Sequence, residues 1–103
     1  MRLLLGCLVI LLFGTGAQAQ DPAARGRAIA RQNCASCHAI GKTGDSPHKG
    51  APPFRTLGRS YNLDEINVML QRGISASHPD MPAFKFKPVD ARALRAYLRS
   101  IAE

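Results

Sequence analysis

Apolar positions along the 103-residue chain form one unbroken run near the start and three spaced patterns after it. The run fills residues 3–13 behind a single charge at Arg2 and leads to small residues, Ala17-Gln18-Ala19. That is the layout of a secretory signal peptide, and the run is too short to span a bilayer. Residues 1–19 are therefore read as a cleaved leader, and residues 20–103 as one mature domain of the exported, periplasmic chain. Cys7 lies inside the apolar run rather than at its end, which argues against lipid attachment there.

The three later patterns have helical spacing, and no stretch keeps the period-two alternation of a strand. Asp21-Pro22 has the chemistry of a helix start, with Asp able to cap free amides and Pro in the first turn, where no donor is required. This helix is expected to run into Cys34. A second pattern opens at Asn62-Leu63-Asp64-Glu65, spaced as a capping box, places Leu63, Ile66, Met69 and Leu70 on one face, and ends at Gly73. There Met69 is expected in the core. The third starts near Pro88, with Lys87 a poor cap. It carries Leu94, Tyr97, Leu98 and Ile101 at i, i+3, i+4, i+7 and exposes Arg92, Arg95 and Arg99. The expected fold class is all-α, with long loops over residues 39–60 and 74–87. Loops of that length in a small domain need something to wrap.

Composition sharpens this picture. A mature domain of this size buries a modest core, and here it has only Phe54, Tyr61, Phe84, Phe86 and Tyr97 as aromatics and no Trp. A further apolar body is expected at the centre. Secretion favours disulfides, but Cys34 and Cys37 are so close that a bridge between them constrains little of the unfolded chain. The net charge is +7, falling to +6 once Arg2 leaves with the leader. On an exported domain that surplus points to partners with acidic docking surfaces or to an anionic membrane face. Nucleic acid is excluded by compartment and by the lack of a base-stacking motif. After the leader, no apolar stretch exists to insert the mature chain stably in a membrane.

Cys34-Ala35-Ser36-Cys37-His38 is the most specific feature, with the pattern of c-type haem attachment. In a helical turn, side chains three apart lie on one side, so both sulfurs can bond neighbouring vinyl groups while the next residue, His38, reaches the iron. A thioredoxin-like dithiol lacks its βαβ surroundings here. A Cys2His2 zinc site lacks a second histidine at finger spacing, since neither His48 nor His78 is so placed.

With this pentad the chain resembles the class I c-type cytochromes, the small monohaem bacterial kind, over residues 21–103. The resemblance implies a cytochrome c-like fold, three main helices and long loops around one covalently bound haem c. Gly26 stands where that family crosses its first and last helices, with Leu94 and Tyr97 packing against it. Pro52 matches the proline whose carbonyl accepts the N–H of the ligand histidine. Met81, in Asp80-Met81-Pro82, matches the sixth iron ligand. Arg59 and Tyr61 match positions near the haem propionates. Arg27, Lys42, Lys85 and Lys87 are candidates to ring the exposed haem edge. Ala30 departs from the family, which usually has an aromatic there. His78 is expected in solvent, and nothing marks His48 as a ligand. The function implied is single-electron transfer rather than enzymatic bond chemistry, as a free shuttle between redox proteins. The alternatives are a dedicated subunit of a periplasmic oxidoreductase and a haem sensor with a labile sixth ligand.

Overall fold

The computed structural model describes residues 21–73 and 80–103. The leader, Cys7 and His78 lie outside these residues. Among the described residues four α-helices run in chain order: α1 Pro22–Asn33, the short α2 Leu57–Ser60, α3 Leu63–Arg72 and α4 Pro88–Ile101. A 3₁₀ turn, Phe54–Thr56, leads directly into α2. Among the described residues there is no β-strand. The fold is all-α as expected, with the turn and α2 added inside a segment read as loop.

The core forms where α1 and α3 pack on α4. Ala30, Ala91, Leu94, Tyr97, Leu98 and Ile101 are buried there together with Ile66 and Leu70. The α1–α4 crossing is close because Gly26 has no side chain. A Cβ on Gly26 would lie 2.0 Å from the Ala93 carbonyl oxygen and 2.8 Å from Tyr97 Cβ. Tyr97 thus meets the glycine as expected. The Ala93 backbone is the nearest neighbour of all, and Leu94 also lines the cavity described below. Arg25 clamps the same crossing from outside, donating from Nε at 3.1 Å and Nη2 at 2.7 Å to Asp90.

Helix ends follow from local chemistry. The Asn62 side chain caps α3 by accepting from the Asp64 amide at 2.8 Å, so the cap bond goes to the second helical residue rather than to Glu65. Gly73 ends α3 at φ +105°, a conformation that L side chains rarely adopt. Asp21 differs from expectation, since its side chain makes no capping bond and Pro22 alone favours the helix start. Arg92 and Arg99 are exposed as expected, while Arg95 is half-buried; Arg95 and Arg99 both donate to Asp64, at 3.1 and 2.6 Å, and so tie α4 to the start of α3.

The loop after α1 is held by specific bonds. The Tyr97 hydroxyl donates to the Ile40 carbonyl, the Phe54 amide to Ala39 at 2.9 Å, and Arg55 to the Gly44 carbonyl at 2.8 Å. These bonds bring residues 39–53 back over the end of α1, next to the two cysteines.

Candidate functional site

Cys34 closes α1, and the chain turns tightly after it. The His38 amide donates to the Cys34 carbonyl at 2.9 Å and the Cys37 amide to the same oxygen at 3.2 Å. One turn therefore carries both thiols and the histidine. Both thiols are free and half-buried, and no disulfide joins them. Burial pushes the Cys34 thiol up to about 11, so at neutral pH it is an uncharged wall group rather than a thiolate.

His38 is oriented on two sides. Its Nδ1 lies 2.7 Å from the Pro52 carbonyl oxygen. A carbonyl can only accept, so Nδ1 carries the hydrogen and Nε2 keeps its lone pair for a metal. The Phe54 ring packs beside the imidazole, with centroids 5.0 Å apart.

Cys34, Cys37 and His38 open onto a cavity of about 760 Å³, within the size range of small-molecule and cofactor sites. Its apolar wall comes from every side of the fold: Phe54, Ile66, Leu70, Phe84, Leu94 and Leu98. Met81 lines the same cavity, half-buried, although it is far from His38 in sequence. The Phe86 amide donates to the Leu70 carbonyl at 2.8 Å, anchoring the segment after Met81 to the end of α3.

The other candidate residues divide. Pro52 and Tyr61 line the cavity, and Tyr61 is 53% exposed. Arg59 does not line it. Its guanidinium lies 3.3 Å from the Glu103 carboxylate, on the surface beside the lining residues Ser60 and Tyr61. Arg27, Lys42, Lys85 and Lys87 are exposed and likewise outside the lining. Met69 corrects the sequence reading. It is 41% exposed and borders the cavity instead of filling the core, because α3 turns Ile66 and Leu70 inward and leaves Met69 at the rim. Sequence reasoning passed over His48, which also lines the cavity. Its backbone and ring make bonds that no motif announces.

The family model described as cytochrome c oxidase, cbb3-type, subunit III matches residues 21–98, a stretch that takes in both thiols, His38, Pro52 and Met81. The chain belongs to this family of class I c-type cytochromes. Comparison with curated proteins and with solved structures gives no match. The cytochrome is thus a haem-binding electron-carrier domain, and the cavity fits that group. It is apolar, of cofactor size, and borders two thiols, an imidazole with a free Nε2 and a thioether. Among the described residues there is no group of three or more His, Cys, Asp and Glu that could hold a metal ion. No described helix is long and apolar enough to cross a membrane.

Proposed function

We propose that this cytochrome is a periplasmic single-electron shuttle with one haem c bonded to Cys34 and Cys37 and ligated by His38 and Met81. The observation that carries the reading is the convergence of both thiols, the Pro52-oriented imidazole and Met81 on one apolar cavity. Cys34 and Cys37 would hold the haem as thioethers, each S–H adding across a vinyl group with sulfur on one carbon and hydrogen on the other, an addition that needs no oxidant. The haem iron supplies the one-electron chemistry. The chain orients the His38 ring through Pro52 and lines the cavity with apolar α3 and α4 side chains that would keep water from a bound haem. His38 and Met81 would hold its iron, and the soft thioether would favour the reduced state.

The leader-like pattern of residues 1–19 supports a periplasmic location, and the net positive charge supports redox partners with acidic docking faces. Electron transfer to such a partner is expected to slow as salt is raised, and a rate indifferent to ionic strength would remove the steering argument.

The family description, an oxidase subunit, favours a second reading in which the cytochrome is permanently bound to one enzyme. Gel filtration of native extracts separates the two, because a shuttle elutes alone and a subunit with its complex. The sensor reading would be revived by rapid carbon monoxide binding to the reduced protein. The experiment that tests the electron-carrier reading is a redox titration. A midpoint well above zero is expected for histidine–methionine ligation, and a strongly negative one would refute the methionine ligand.

A further inference from the structure

His48 sits between the two halves of the site and bonds to both. Its amide donates to the Cys37 carbonyl at 3.1 Å, inside the cysteine turn. Its Nδ1 accepts from the Gly50 amide at 3.1 Å. An amide N–H can only donate, so in the neutral ring the hydrogen is on Nε2, and Nε2 lies 3.2 Å from an oxygen of Asp80. Asp80 immediately precedes Met81, and His48, Asp80 and Met81 all line the cavity. The bond pattern thus fixes the tautomer that can donate to Asp80.

We infer that His48 is a positioning residue for Met81. It links the cysteine turn to the segment that presents the thioether and holds Met81 at the cavity. The inference rests on Met81 being the sixth ligand. His48 acts on Met81 through the neighbouring Asp80 carboxylate. The bond lies at the cavity mouth, where the His48 and Asp80 side chains are 38% and 64% exposed, so its effect is modest. It acts on the fraction of molecules in which Met81 has left the iron, and that fraction sets how fast an outside ligand enters.

The test uses oxidised, haem-loaded protein and imidazole as the entering ligand, in rapid-mixing experiments on the wild type and on His48→Phe, His48→Gln, Asp80→Ala and Met81→Ala. His48→Phe and Asp80→Ala should each speed imidazole binding by about threefold, and the double variant should be no faster than either single one. His48→Gln, which keeps an N–H donor, should stay near the wild type. Denaturation midpoints of the His48 and Asp80 variants should match the wild type, so a general loosening of the fold would not reproduce the pattern. If Met81→Ala binds imidazole no faster than the wild type, Met81 is not the ligand and the inference falls with it. If Met81→Ala is fast while His48→Phe and Asp80→Ala match the wild type, or if their effects simply add, Met81 stands and the tether is refuted.

Discussion

Gly26 is the residue with the least room for change. Any Cβ there meets backbone, not the flexible end of a side chain, so α1 and α4 must separate to admit it. Gly26→Val is expected to cost about 2–3 kcal/mol in denaturant unfolding of the haem-loaded protein, as overpacking at a rigid contact does. Asn62→Ala should cost about 1 kcal/mol by the loss of one cap and leave the visible spectrum unchanged. Met81→Ala should abolish the weak near-infrared band of the oxidised protein and open the iron to carbon monoxide when reduced. An unchanged spectrum would reject Met81. The chemistry of these residues was legible in the sequence to different depths. The pentad at Cys34 announces itself because thioether attachment demands a fixed spacing. Gly26, Pro52 and Met81 were reached by family resemblance, and they stand at the helix crossing, behind the imidazole and on the cavity. Met69 was misplaced because exposure depends on tertiary neighbours, here on the rotation of α3 that turns Ile66 and Leu70 inward. His48 was invisible because its bonds join backbone and side-chain atoms from three separate segments.

The helices divide the work. α1 ends at Cys34 and so brings the cysteine turn to the cavity, while α4 supplies both the α1 contact and, through Leu94 and Leu98, part of the cavity wall. Asp64 joins α3 to α4 by accepting from Arg95 and Arg99. Asp64 is 60% exposed, so Asp64→Asn should lower stability by less than about 1 kcal/mol, a difference that shrinks in high salt. A larger, salt-independent loss would mean that the carboxylate has a packing role. The long helices α1, α3 and α4 were readable from periodicity and from Pro22, Asn62, Gly73 and Pro88. α2 was not, because Leu57–Ser60 is too short to show a period and forms where the 3₁₀ turn at Phe54 hands on its hydrogen bonding.

At the scale of the whole molecule, the buried residues line a cavity as much as they pack on each other. Phe54, Ile66, Leu70, Leu94 and Leu98 belong both to the core and to the cavity wall. A domain this small gains little from burying its own side chains, and a large flat apolar cofactor would complete the interior that the helices surround. With haem completing the interior in this way, Cys34→Ser with Cys37→Ser should yield a chain with sharply reduced helical circular dichroism. The most direct measurement is extraction of the purified protein with acidified organic solvent. The pigment should remain with the polypeptide, one haem per chain. Haem that passes into the solvent, or a colourless protein, would contradict the account.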